Sequence, residues 1–220
     1  MKFFRIVIIA FLFTTLSFNS FGQKIGIKLG ANKFKLNMDR DDATSFNHKT
    51  DQVNLHIGLT VEFALGNRFS VQPAILFSKK KVRYEDKFTP TEFYRSDYSP
   101  TFIDIPISLK YFLMPEKNRF YVFAGPYAAL GVSGDLKIQD RIPPSQTLEN
   151  YEIWGEDGDR LKKFDYGITL GTGIDINNLE IEFFYNYGIP DLANSMDSVT
   201  SARTQSFGFS ASLKFNTKYE

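Results

Sequence analysis

The stretch TFIDIPISLKYF, residues 101–112, alternates without a break. Ile103, Ile105, Ile107, Leu109 and Tyr111 take one set of positions, while Asp104, Pro106, Ser108 and Lys110 take the other. A period of two sends these sets to opposite faces of an extended strand. One face suits hydrocarbon and the other carries charge. A soluble sheet and a lipid-embedded barrel both alternate in this way, so the remaining sequence has to decide which face looks inward.

Seven further stretches share the pattern. The first, 24–36, aligns Ile25, Ile27 and Leu29, and the second, VNLHIGLTVEFAL, aligns Val53, Leu55, Ile57, Leu59, Val61, Phe63 and Leu65. The third aligns Phe69, Val71, Ile75 and Phe77, and 101–112 is the fourth. The fifth, RFYVFAGPYAALGVSG, is apolar on both faces, which leaves its orientation open. The sixth sets Phe164, Tyr166, Ile168, Leu170, Ile174 and Ile176 against Asp165, Gly167, Thr169, Gly171, Gly173 and Asp175. The seventh aligns Leu179, Ile181, Phe183, Tyr185, Tyr187 and Ile189, and the eighth Phe207, Phe209, Ala211, Leu213 and Phe215. Pro73, Pro106 and Pro126 interrupt this reading, because proline removes a ladder donor, and local bulges are expected there.

The connections alternate in length. Long polar segments span 37–52, 79–100, 135–163 and 190–204, whereas Gly66-Asn67, MPEKN and Asn177-Asn178 are short. In an up-and-down meander all long segments then leave one end and all short turns the other. Outer-membrane barrels show this asymmetry, with short periplasmic turns and long extracellular loops.

The bulk numbers agree. The chain has 220 residues, 43% hydrophobic and 16% aromatic, with no cysteine and a formal charge of +1, so no nucleic-acid partner is implied. No unbroken apolar run after the N-terminus reaches the roughly 20 residues of a membrane helix. Lys2 and Arg5, the apolar stretch Ile6 to Leu16 and Ser20-Phe21-Gly22 read as a cleaved secretory signal peptide over 1–22, leaving 23–220 as the barrel. The absence of cysteine excludes a lipid-anchored lipoprotein.

The glycines decide the orientation. Gly26, Gly30, Gly58, Gly167, Gly171, Gly173 and Gly208 all fall on the polar face, where a narrow barrel needs small residues, while Phe and Tyr crowd the apolar face. The apolar face is therefore expected to meet lipid. The fold expected is an all-β, eight-stranded antiparallel up-and-down transmembrane barrel in the cell outer membrane.

The segments IDIPISLKYF, YVFAGPYAALG, KFDYGITLGTGIDI and SVQPAILFSKK resemble the PorT-like outer-membrane β-barrel family common in Bacteroidota. The resemblance covers nearly all of the chain beyond residue 22, in order. It implies an eight-stranded barrel exported to the outer membrane, and it implies little about activity.

Chemistry is sparse. His48 with Ser45 in the first long loop and His56 on a polar face lack a nucleophile motif, so no enzyme is expected. The acidic residues Asp39, Asp41, Asp42, Glu156, Asp157 and Asp159 lack full calcium-loop spacing and read as solvated; no metal or cofactor is expected. Phe88, Phe93, Tyr94, Tyr98, Tyr151 and Trp154 in the long loops form a candidate contact surface, with packing of the loops on one another as the alternative. Lys28, Glu62, Glu182 and Lys214 should form a charge lattice in the lower lumen. Asp175 and Glu180, opposed across the Asn177-Asn178 turn, need relief from Lys110, a cation or a proton; Asp104 and Asp165 share the polar face.

The function expected is a monomeric, membrane-embedded scaffold in contact with outer-membrane lipid. Its extracellular loops would bind a protein or surface partner, and side chains would fill its lumen. The alternatives are a narrow porin-like channel and, more remotely, a soluble exported lipocalin-like barrel with its apolar face inside.

Overall fold

The computed structural model describes residues 23–40, 48–87, 89, 92–114, 118–142, 145–155, 158–159, 161–193 and 199–216. Eight long strands form the barrel: β1 (Gln23–Arg40), β2 (Val53–Ala64), β3 (Phe69–Lys79), β4 (Phe93–Phe112), β5 (Asn118–Ile142), β6 (Phe164–Ile176), β7 (Leu179–Gly188) and β8 (Val199–Asn216). Each pairs antiparallel with its neighbours in sequence, and β1 closes on β8 from Lys24↔Asn216 upward. The ring leaves no barrel edge unpaired.

Its turns follow from local chemistry. Asn177 takes φ +57° in the two-residue turn that sets Ile176 opposite Leu179, and Gly66 takes φ +86° between β2 and β3. Such angles suit Asn and Gly because other side chains crowd the backbone there.

Burial alternates along the membrane-crossing strands. On β2, Asn54, His56, Thr60 and Glu62 are buried while Val53, Leu55, Ile57 and Leu59 are exposed, Leu59 at 60%. Ile75, Leu109, Leu170, Ile181 and Leu213 are exposed likewise, whereas Lys110, Lys214, Glu180 and Gln72 are buried. The outside is an apolar band and the inside is polar, so a soluble barrel with an apolar interior is excluded. Even the polar Thr172 on the outer face is satisfied, donating to the Tyr121 carbonyl at 2.9 Å. On β5 the orientation left open is now seen: Tyr121, Phe123, Tyr127 and Ala129 face in, and Phe120, Val122 and Leu130 face out.

The prolines do not bulge their strands. Pro73 pairs with Ile107, Pro106 with Tyr127 and Pro126 with Ile168, each within an unshifted register. One missing donor removes one ladder bond, and the neighbouring bonds hold the alignment. The barrel absorbs curvature at glycine instead: a Cβ on Gly125 would lie 1.9 Å from the Ile107 carbonyl oxygen, so only glycine permits that approach. The register shifts lie between Thr101 and Phe102 on β4 and between Asp39 and Arg40 on β1.

The long connections hold more strand than their polar composition suggests. The ladder of β4 and β5 continues past the bulge to Tyr94↔Asp140. Val82–Lys87 adds to β4, His48–Asp51 adds to Val82–Lys87, and Ser145–Glu152 adds to β5. Above the band these make a five-stranded sheet. Its inward residues Val82, Tyr84, Tyr98 and Leu136 pack with Phe34, Leu36, Ile153, Leu161, Leu192 and Ala202 into one apolar cluster across the barrel mouth.

Candidate functional site: the filled lumen

Tight strand pairing crowds the lumen in layers. Arg119 lies lowest, its guanidinium 4.1 Å from the centre of the Phe112 ring. Above it, four carboxylates (Glu62, Asp175, Glu180 and Glu182) meet Lys28, Lys110, Lys214 and Arg119. Every strand contributes to this layer: Lys28 from β1, Glu62 from β2, Gln72 from β3, Lys110 from β4, Arg119 and Tyr121 from β5, Asp175 from β6, Glu180 and Glu182 from β7, and Lys214 from β8. The formal charges cancel.

Lys214 sits 2.6 Å from Glu62 and 3.3 Å from Asp175, and it also pairs with Glu180. Lys110 pairs with Glu180, lies 3.2 Å from Glu182 and 3.7 Å from Glu62, and its Nζ is 4.4 Å from the Tyr121 ring centre. Lys28 pairs with Glu182 and lies 3.7 Å from Glu180. Tyr121 donates to Glu182 at 2.9 Å, and Gln72 donates to Glu180 at 3.1 Å.

Asp175 and Glu180 do stand opposite each other across the ladder. Two like charges in that position repel. Lys214 bridges them, Arg119 takes Asp175 at 2.5 Å, and Lys110 takes Glu180. Oxygens of Glu62, Asp175 and Glu180 lie within 4.8 Å of one another, a spacing that would suit a metal ion. The Lys214 ammonium pairs with all three and already supplies the positive charge.

Asp104 and Asp165 belong to a separate, higher layer. Asp104 accepts from Lys80 at 2.8 Å and from Ser78 at 2.5 Å. Asp165 accepts from Thr204 at 2.8 Å and Tyr127 at 3.3 Å. Between the two layers is a cavity of about 50 Å³ walled by Lys28, His56, Lys80, Asp104 and Glu182, polar enough and large enough for water. His56 lies there with Nε2 2.9 Å from Ser210 Oγ and Nδ1 3.3 Å from Asn32 Nδ2.

Sequence reasoning missed Arg119, Tyr121, Gln72 and Lys80. Tyr121 was hidden by the two-faced apolar pattern of β5, and Arg119 by its place beside the short turn. The signal lay in pairing: Tyr121, Phe123 and Tyr127 stand directly opposite Gly173, Gly171 and Gly167 on β6. Each ring lies over the bare backbone of its glycine; a Cβ on Gly173 would fall 2.5 Å from the Tyr121 ring. This aromatic–glycine packing fills the lumen wall.

The loop aromatics divide. Tyr98 is buried, in a perpendicular ring contact with Tyr84 at 5.9 Å. Trp154 stacks edge-on against Phe102 at 5.5 Å and donates to the Leu161 carbonyl at 2.7 Å, and Tyr151 packs on the same cap. These three pack at the barrel mouth, because the sheet above the band has an apolar inner face to cover. Phe93 and Tyr94 are half-buried near the hairpin tip, and Phe88 lies outside the described residues. Also outside them are residues 1–22, Asp41, Asp42, Ser45, Glu156 and Asp157, while only the backbone is described at Asp39, His48 and Asp159.

With this geometry in place, the family match is decisive: the outer membrane protein beta-barrel domain matches residues 19–194. The chain belongs to that family. It is accordingly a protein of the cell outer membrane, with eight antiparallel strands. Among solved structures it is similar to Ail, the attachment invasion locus protein of Yersinia pestis, solved with the heparin analogue sucrose octasulfate, at 14% identity over 89% of this chain and 100% of that one, TM-score 0.41. It is also similar to OprG from Pseudomonas aeruginosa, at 12% identity over 88% and 96% of the chains, TM-score 0.43. A third likeness is to the outer membrane protease OmpT from Escherichia coli, at 12% identity over 91% and 99%, TM-score 0.39. No curated protein sequence matches the chain.

Proposed function

We propose that this barrel is a non-conducting, non-catalytic membrane scaffold, monomeric in the bilayer, that presents a stiff β-sheet outside the cell to a protein or surface partner. The observation that carries the reading is the double closure of the lumen: a neutral ion-pair layer below and an apolar cap above. A conducting barrel needs a continuous wet path, and eight strands leave little room for one. His56 is buried and hydrogen-bonds to Ser210 and Asn32 inside the lumen, which suits a structural role.

Support for the partner comes from the sheet above the band. β4 has 20 residues and β5 has 25, against 10 in β7, and a membrane crossing takes roughly 9–11. The excess is paired strand held by Arg83–Asp97 at 2.6 Å and Arg95–Glu85 at 2.7 Å. Its outer strand, Ser145–Glu152, pairs on one side with β5, and Leu148 on it is exposed. An edge of this kind can pair with another chain. Residues 1–22 serve in this reading as a cleaved export signal, and the resemblance of the segments quoted above supports a PorT-like member of the family.

The test is site-specific photo-crosslinking in intact cells from Leu148, Arg141 and Leu59. The reading expects a discrete protein or surface adduct from Leu148 or Arg141 and lipid adducts alone from Leu59. Lipid adducts alone from all three positions would overturn it.

A further inference from the structure

Just above the apolar band, the outward face of four neighbouring strands carries five cations. On β1 they are Lys33 and Lys35, on β8 Arg203, at the upper end of β3 Lys79, and just beyond it Lys81. The register sets their height. Lys33 pairs with Phe207 on β8 and with Val53, the first residue of β2, and Lys35 pairs with Gln205. Lys79 follows the lipid-facing Phe77 and pairs with Thr101. Lys81 is pinned through its backbone, donating its N–H to Asn54 Oδ1 at 2.6 Å and accepting from Asn54 Nδ2 at 3.2 Å.

We propose that this arc is a binding surface for the phosphate groups of anionic lipid headgroups in the outer leaflet. Four strands at roughly 4.8 Å spacing make the arc about 15 Å wide, a span over which several headgroups can lie. Long cationic side chains at a membrane boundary keep their stems on the apolar surface and their heads among the headgroups; Lys35 does this here, its Nζ 5.9 Å from the Phe207 ring centre. Arg203 adds a planar fork that matches phosphate oxygens. Among the carboxylates near the arc, Asp97 holds Arg83, and Asp191 accepts from the amides of Ala193 at 2.9 Å and Ala202 at 2.8 Å while also feeling the charge of Arg203. The opposite end of the barrel differs. There the exposed cation among the described residues is Arg68, which donates to the Tyr111 hydroxyl at 3.3 Å.

The experiment uses the barrel reconstituted in phosphatidylcholine nanodiscs with and without a phosphorylated glycolipid, reading bound glycolipid per barrel by native mass spectrometry. The arc variant carries Lys33→Gln, Lys79→Gln, Lys81→Gln and Arg203→Gln. A control with equal charge change carries Arg68→Gln, Lys137→Gln, Arg141→Gln and Lys163→Gln, all at exposed positions away from the arc. The arc variant should lose about tenfold or more in glycolipid retention while the control keeps the wild-type level. If the arc variant fails to refold, Lys33→Gln and Arg203→Gln alone should each lose severalfold. Equal loss in arc and control variants, or undiminished retention in the arc variants, would overturn the proposal.

Discussion

Lys214→Met is the most informative single change. It removes the ammonium that pairs with Glu62 at 2.6 Å, Asp175 at 3.3 Å and Glu180, and its side chain is 1% exposed. At an effective dielectric constant near 20 the Glu62 contact alone is worth about 6 kcal/mol before desolvation. Desolvation offsets much of this, and breaking a buried pair by removing one partner typically costs about 3–5 kcal/mol. The variant is expected in that range, because Lys28, Lys110 and Arg119 then face four carboxylates. Glu62→Gln should also destabilise, since Lys110 and Arg119 lose a partner at 3.7 and 3.5 Å. The double variant should recover part of the loss, with a coupling of about 1–3 kcal/mol. Glu62 is the right partner for the cycle, since Glu182 pairs with Lys28 and Lys110 instead. The assay is equilibrium denaturant unfolding in lipid vesicles, with the exposed Lys137→Met as a reference near zero. Coupling below about 0.5 kcal/mol would refute a dry, interlocked layer and indicate a wet lumen.

Other consequences are direct. Ile75→Arg, on a side chain 60% exposed to the lipid side, should cost about 2–4 kcal/mol in vesicle unfolding, and a cost near zero would contradict the outward assignment. Trp154 is the single tryptophan, so fluorescence reports on the cap: its emission should be blue-shifted and shielded from iodide. Gly131→Val should shift that emission to the red, because a Cβ there lies 2.3 Å from the indole ring. The backbone amides of Ala202 and Ala193 hold the Asp191 carboxyl below its usual range. Its contribution is therefore present above the ordinary carboxylate pKa and lost as pH falls through the lowered value. Hydrogen exchange at Ala202, corrected for intrinsic rate, should rise at acid pH in the wild type and be raised at all pH values in Asp191→Ala.

Strand number, inside-out orientation and the short turns were legible because each rests on local pattern: period two on 101–112, Asn177-Asn178, and glycines gathered on the polar face. The charged lumen faces could likewise be read strand by strand. Which charges meet could not, since that depends on strand stagger around the ring; Lys214 reaches Glu62, Asp175 and Glu180 rather than Glu182. The sheet above the band was hidden for another reason. Residues 82–87 and 145–152 are too polar to show a buried stripe, and pairing partners distant in sequence hold them extended. Tyr98 and Trp154 looked like surface aromatics because nothing local announces the apolar cap they complete.

The central claim is a barrel that crosses the outer membrane and conducts nothing. Planar-bilayer recording of the purified barrel tests it, with insertion verified independently by protease protection of the band. The structure predicts a silent bilayer at both polarities for the wild type, with Lys214→Met, which unbalances the ion-pair layer below an intact cap, silent too. Stable, ohmic single-channel steps from the wild-type barrel would contradict it.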